Sequence, residues 1–410
     1  MTNSQNNTDE NIVLEEYTES SSHHSHHRHR SSGKKEKKKK NSNLELHVDS
    51  KGNTTYKKRK SLKSGITKKK WFKIANRICI IILVLILILL LAALIYYLIA
   101  KHIGKNNLIK GNKEAVITTI DGAESTDDGH TVTYKGDTYK YNEDVASIVI
   151  MGIDQSELEN EGGVAGRADA IYIFTYDTNT GKCNLIPVSR DTMADVKIRS
   201  VSGEDLGYEK LQLALSYSYG DGKLTSCENT TETLSRIFYN IPFNNYIALD
   251  WDAIAPLNDA IGGVHLKALE DINTKYTQIK KGDKVTLTGN DAWSYVKYRD
   301  TSRLDSNPLR IRRQKQYLSA FANKFLPMAR EDITIVSDLY NTASDYMYTN
   351  LSRETVVYIV SEMLPNVYSA KDITQHNIKG ELTMGEKFAE FVPDETSLYE
   401  TILKVYYIKQ

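Results

Sequence analysis

The hydrophobic pattern changes character along the chain. From Ile78 to Ala100 it reads ICIIILVLILILLLAALIYYLIA, 23 residues without a charge. A charged side chain at a bilayer centre costs ~2.5–3.5 kcal/mol on insertion scales, so a charge-free run of this length predicts a membrane-spanning helix. At ~1.5 Å per residue it crosses the ~30 Å hydrocarbon layer with some tilt to spare. A cleaved signal peptide would be shorter and nearer the start of the chain, whereas 77 residues precede this run. A buried core helix is the other reading of so apolar a stretch.

Downstream the pattern breaks into short elements. Residues 102–130 are polar and read as a stalk. Thr131–Tyr141 alternates around a Lys-Gly-Asp turn, the signal of a β-hairpin. Strands are predicted at Ser147–Ile153, Ala170–Tyr176 and Lys182–Val188, the last two joined by a short turn over 177–181. Their apolar runs are continuous more than alternating, which fits a sheet covered on both faces. Apolar residues three and four apart predict helices over Glu209–Tyr219 and Cys227–Phe238, with a short strand at Asn245–Leu249. A helix over Trp251–Ile261 closes on Gly262-Gly263, and another covers Thr288–Tyr298. Asn307-Pro308 opens a long helix reaching about Arg330. Further helices are expected at 331–346, 352–363 and 395–406. The expected fold class is α/β, a mixed central sheet with helices on both faces. The expected order is a disordered tail over 1–77, the span over 78–100, a stalk with a β-hairpin over 101–144, a main domain over 145–330 and a helical extension over 331–410 packed on it.

Charge adds an orientation. Up to Arg77 there are 19 lysines and arginines against 8 aspartates and glutamates, net +11; the remainder holds 34 against 44, net −10. Ten basic residues from Lys57 to Arg77 crowd one flank of the span, and only Lys101 and Lys105 lie close on the other. The positive-inside rule therefore puts residues 1–77 in the cytoplasm and the rest outside the cell membrane. The run Lys34–Lys40 is expected to lie on anionic membrane lipid. With no aromatic residue interleaved to stack on bases, no nucleic acid is expected as a partner. The tract His23–His29 reads either as a metal-binding segment or as a solvated polar tail. Three cysteines are too few for a disulfide scaffold. Cys183 and Cys227 lie where a disulfide is chemically permitted, and two buried thiols are the alternative.

Candidate chemistry follows from where the strands end. The first strand ends at Asp154, and a loop containing Gly162-Gly163 leads to Arg167 and Asp169 at the head of the second. If these two strands are antiparallel, both aspartates lie at one edge of the sheet. The third strand then returns Arg190 and Asp191 to that edge. On the long helix, Arg310, Arg313, Gln314, Tyr317, Phe321 and Phe325 share one face, so both arginines point inward. Inward arginines need anions. A structural ion pair is one answer and a phosphate-bearing ligand the other, because guanidinium forks match phosphate oxygens. Arg299 and Arg303 lie just upstream. Arginines beside hard carboxylates suit a diphosphate and Mg²⁺ or a similar hard cation. No cluster of Cys and His suggests zinc, and no P-loop or Ser-His-Asp order appears in the outer part.

At these residues the chain resembles the LytR-CpsA-Psr family of bacterial cell-envelope proteins. The matching blocks are IVIMGID (148–154), GRADAIYIF (166–174), LIPVSRDT (185–192), DAIGGV (259–264), YVKYRD (295–300) and RIRRQ (310–314), in the family's order. The resemblance implies that the main domain is catalytic, with the family's α-β-α fold. It implies a membrane-anchored phosphotransferase that moves a glycopolymer, such as teichoic acid or capsular polysaccharide, from a polyprenyl pyrophosphate carrier onto a peptidoglycan acceptor, with Mg²⁺ or Mn²⁺. Residue by residue, it implies Asp154 and Asp169 as metal ligands. Arg167, Arg190, Lys297, Arg299, Arg310, Arg313 and Gln314 then bind the pyrophosphate, with Arg190, Asp191 and Arg313 catalytic. Lys297 stands where the family usually has an arginine and loses the bidentate geometry. Ser189 replaces a common proline. Helices around Leu211–Tyr219, Leu234–Phe238 and Ile254–Ile261 either line a groove for the carrier lipid or form ordinary core. The alternatives are a non-catalytic protein binding polyprenyl-linked glycan, an envelope-related transcriptional attenuator, and a hydrolytic pyrophosphatase. Residues 1–77 show no helix-turn-helix for the second of these.

Overall fold

The computed structural model describes residues 44–52, 54–58, 68–154, 166–200, 202–300, 306–386 and 388–410. Most of the tail, with its histidine tract and the Lys34–Lys40 run, lies outside the described residues, as do the loop over 155–165 and Arg303. The chain forms two compact units, up to Val84 and from Leu85. In the first, disorder was expected over 1–77; instead β1 (Leu44–Val48) and β2 (Thr54–Lys58) pair as an antiparallel hairpin. Helix α1 (Lys68–Leu108) contains the apolar run, and among the described residues it is the one helix long and apolar enough to cross a membrane.

The second unit continues with β3 (Ala123–Thr126), β4 (Thr131–Tyr134), β5 (Asp137–Tyr141), β6 (Val145–Asp154), β7 (Arg167–Asp177) and β8 (Cys183–Val188). Next come β9 (Met193–Arg199), β10 (Asp205–Gln212), α2 (Leu224–Ile237), β11 (Asn245–Asp250) and α3 (Ile254–Ala260). Four short strands follow, β12 (Val264–Lys267), β13 (Ile272–Asn273), β14 (Gln278–Ile279) and β15 (Lys284–Leu287), then α4 (Asn290–Lys297), α5 (Ser306–Glu331) and α6 (Thr334–Ala343). The chain ends with β16 (Met347–Thr349), α7 (Arg353–Met363), β17 (Thr374–Gln375), β18 (Gly380–Met384), β19 (Ala389–Pro393), α8 (Glu395–Tyr406) and β20 (Tyr407–Lys409).

The central sheet has the order β16-β11-β6-β7-β8-β17 and is mixed: β6 runs parallel to β11 and antiparallel to β7. Val149, Met151 and Ile153 of β6 pack on one face with α2 and α8, whereas Ala146 and Ile148 pack on the other with α7 and Leu108. Burial on both faces is why these strands read as unbroken apolar runs. A second, antiparallel sheet has the order β20-β5-β4-β3.

Three expectations change. The helix expected over Glu209–Tyr219 is instead β10 followed by one 3₁₀ turn, Leu213–Ser216. Pairing with β9, whose Ala194, Val196 and Ile198 alternate inward, overrides the helical spacing. The stalk expected over 101–144 is not free-standing, because Leu108 and Ile117 are buried in core clusters. Lys101 pairs with Glu362 at 2.7 Å, and Asn245 Nδ2 donates to the Leu108 and Ser147 carbonyls at 3.0 Å each. Finally, residues 331–410 are more than a helical extension. They supply both outer strands of the central sheet, and Leu398, Tyr399, Ile402 and Tyr406 enter its core. Cys183 and Cys227 are free buried thiols in separate clusters, each pushed up to about 12 by burial.

Candidate active site

Four strand ends meet at one edge of the central sheet. β6 ends in Asp154, β11 ends beside it in Asp250, β7 begins at Arg167, and β8 runs out into Ser189-Arg190-Asp191. Asp154 and Arg167 are cross-strand partners. Gly166 precedes Arg167, and a Cβ there would stand 2.5 Å from the Asp154 carbonyl oxygen. Next to this pair the ladder is irregular: Ile153 faces Ala168 and Gly152 faces Ala170, so Asp169 is the extra residue of a β-bulge. The core positions of β7 record the insertion, since Ala168, Ile171 and Ile173 share a cluster with a spacing of three, then two. The bulge turns the Asp169 carboxylate into the charged edge, where it is 3% exposed.

Asp169 holds two guanidinium groups. Arg190 Nη1 donates to its Oδ1, and Arg310 Nη1 lies 3.9 Å from its Oδ2. Arg190 also donates from Nε to Asp191 Oδ1 at 3.3 Å. Burial pulls Arg310 below the ordinary arginine range; nearby Arg190 and Arg299 pull the same way, while Asp169 and Asp154 oppose. Lys297 Nζ stands 3.4 Å from Asp154 Oδ1 and over the Trp293 ring. Burial holds Asp250 above the usual carboxylate range; the hydrogen bond from the Asp252 amide and the Lys297 charge oppose it, while the Asp252 and Asp154 charges add to it. One edge of the sheet thus gathers Asp154, Arg167, Asp169, Arg190, Asp191, Lys297, Arg299 and Arg310.

One expected member stands elsewhere. Arg313 points inward, as its helical spacing requires, but is 1% exposed and paired with Glu270. Its Nε donates to the Tyr295 carbonyl at 2.8 Å and its Nη2 to the Tyr298 carbonyl, so it braces the segment that carries Lys297 and Arg299. Burial lowers its pKa to about 10. Gln314 is buried next to it on the helix. Of the residues proposed to line a lipid groove, Leu213, Tyr217, Leu234 and Phe238 lie in the central cluster, and Ile261 lies in a different one.

The charged edge sets cations on several sides with carboxylates between them. Among the described residues no three His, Cys, Asp or Glu side chains form a metal-binding group. The pair Asp154 and Asp169 offers hard oxygen donors, the kind of set on which Mg²⁺ completes its shell with water and phosphate oxygens.

The sequence of residues 109–404 matches the LytR_cpsA_psr family. The chain belongs to that family. LytR_cpsA_psr relatives include TagU of Bacillus licheniformis, named a polyisoprenyl-teichoic acid–peptidoglycan teichoic acid transferase, 24% identical over 63% of this chain and 76% of that protein. TagV of Bacillus subtilis, named for the same activity, is 25% identical over 62% of this chain and 61% of that protein. Biofilm regulatory protein A of Streptococcus mutans is 22% identical over 58% of this chain and 57% of its own. Among solved structures, TagV of B. subtilis aligns with a TM-score of 0.50 at 23% identity, covering 63% of this chain and 94% of that one. The protein gbs0355 of Streptococcus agalactiae aligns at 0.51 and 18%, covering 64% and 86%. These structures share the mixed α/β fold of the second unit.

Within the LytR_cpsA_psr fold, three site features escaped the sequence reading. Gln212 and the β18–β19 hairpin both contact Asp191, and Glu270 neutralises Arg313. Gln212 was hidden by the mistaken helix. Glu270 and the hairpin lie in stretches without periodicity.

Proposed function

We propose that this protein is a membrane-anchored phosphotransferase. It moves a glycopolymer from a polyprenyl diphosphate carrier to a peptidoglycan hydroxyl on the outer side of the cell membrane. The observation that carries the reading is the convergence of Arg190 and Arg310 on Asp169 at one sheet edge, with Asp154 and Arg299 close to Arg310. The acceptor hydroxyl attacks the phosphorus nearer the polymer and loses its proton to a carboxylate of the cluster. The bond from that phosphorus to the bridging oxygen breaks, and polyprenyl phosphate leaves with the electron pair. Arg190 and Arg310 hold the charge that grows on the leaving phosphate, and fixed cations at such a position contribute more in the transition state than in the ground state. Asp154 and Asp169 would hold Mg²⁺ or Mn²⁺, which when bound neutralises diphosphate charge. Asp191 orients Arg190. Helix α1 is the anchor, and the basic flank before it keeps the N-terminal side in the cytoplasm, against anionic lipid.

The test uses the full chain in detergent with a polyprenyl-diphosphate-linked glycan and peptidoglycan. Arg190→Ala and Arg310→Ala each lower transfer by about 10²–10³-fold, the loss typical of a removed transition-state donor. Undiminished transfer by both variants overturns the assignment.

A further inference from the structure

The Arg190–Asp191 pair is held from behind by a residue outside every motif named above. Gln212 ends β10 and is 6% exposed. Its Nε2 donates to Asp191 Oδ1 at 3.0 Å and to the Ala389 carbonyl of β19 at 2.6 Å. Asp191 Oδ1 is also the acceptor for Arg190 Nε, and the far end of that guanidinium meets Asp169. The backbone is stitched on two sides. The Ala214 and Leu213 amides donate to the Arg190 and Thr192 carbonyls at 3.0 and 2.7 Å, and the Phe391 amide donates to the Asp191 carbonyl at 2.8 Å. One amide nitrogen therefore ties β10 and β19 to the carboxylate that orients Arg190.

We propose that Gln212 is a positioning residue of this site. It holds the Asp191 carboxylate in one orientation, and through it aims the Arg190 guanidinium at the diphosphate. The proposal rests on reading the charged edge as a diphosphate site. A carboxamide suits the position because it gives two hydrogens, one to each acceptor, and carries no charge. A carboxylate there would face Asp191 and a carbonyl oxygen with nothing to donate, unless it picked up a proton. The neighbouring Asp191 charge favours that protonation.

The experiment compares Gln212→Leu and Gln212→Glu with the wild-type full chain in detergent, from about pH 5 to about pH 8, where model carboxylic acids and their raised forms titrate. Transfer is assayed as above, and binding of inorganic pyrophosphate is followed by calorimetry. Gln212→Leu lowers kcat by about 10–100-fold at every pH, the usual loss when a residue behind a functional ligand is removed. Gln212→Glu is active at the acid end, where the introduced carboxyl is protonated and donates to Asp191, and loses activity as pH rises. Wild-type kcat in both variants overturns the proposal. So does an equal loss in both at every pH that tracks a lower melting temperature. If the wild type transfers nothing, yet pyrophosphate binding by Gln212→Glu weakens with rising pH, the transfer reading falls and the positioning role stands.

Discussion

Arg313 heads the large, completely buried side chains among the described residues, and its neighbours are the chain's own: Glu270 and the Tyr295 and Tyr298 carbonyls. Removing one partner of such a pair leaves a buried charge unmatched, at a cost of about 3–5 kcal/mol. Arg313→Ala is therefore expected to destabilise the fold by that amount in denaturant melts. The double change Arg313→Met with Glu270→Leu recovers most of the loss, because neither charge is then stranded. Recovery that fails in the double variant would mean Arg313 has a further anionic partner. Helical spacing was enough to place this arginine inward, since it counts residues around a turn. It could not choose between a phosphate and a carboxylate as the anion, because Glu270 arrives from a stretch with no periodic signal. Arg310, one turn earlier on the same helix, reaches Asp169 instead.

At the scale of elements, the strands and most helices were legible because each carries its own period and end signals. β6, β7 and β8 have the expected antiparallel order, which brings Asp154, Arg190 and the head of β7 to one edge, and the bulge then turns Asp169 into it. The β9–β10 hairpin was not legible. Apolar residues of β10 and the 3₁₀ turn also satisfy a helical spacing, and only the partner strand decides between the two. The docking of α1 was hidden for a similar reason. The segment after the span is polar, yet its polar groups face protein: Asn112 Nδ2 donates to the Glu143 and Val145 carbonyls at 2.9 Å, and Asn245 clasps Leu108. Asn245→Ala leaves two buried carbonyls without this donor, and unsatisfied groups of that kind cost about 1–3 kcal/mol each. The expected result is a lower melting temperature with earlier proteolysis between residues 101 and 122. An unchanged melt would mean that water replaces the amide.

For the whole molecule, the core is assembled from distant parts of the sequence. Cys227 of α2 lies in the same cluster as Val149 of β6 and Ile402 of α8, and Cys183 lies against the α5–α7 side. With both thiols pushed up to about 12 by burial, folded protein keeps them protonated at about pH 8, near the ordinary thiol range. Their alkylation is then limited by opening of the fold. The sign for stability follows: the unfolded chain releases these protons first, so stability falls as pH rises from the ordinary thiol range towards 12. Mass spectrometry after iodoacetamide at about pH 8 should find Cys183 and Cys227 unmodified until denaturant is added. Prompt modification of either would place it at the surface.

The bulge in β7 separates two inheritances that usually share the same residues. Ala168 and Ala170 face consecutive residues of β6 with Asp169 squeezed out between them, so the ladder has no use for that letter. A chain lacking that single codon would close into a regular strand with its core unmoved, and would have discarded the anion that steers two arginines. A regular strand and the proposed chemistry thus make opposite demands on one residue.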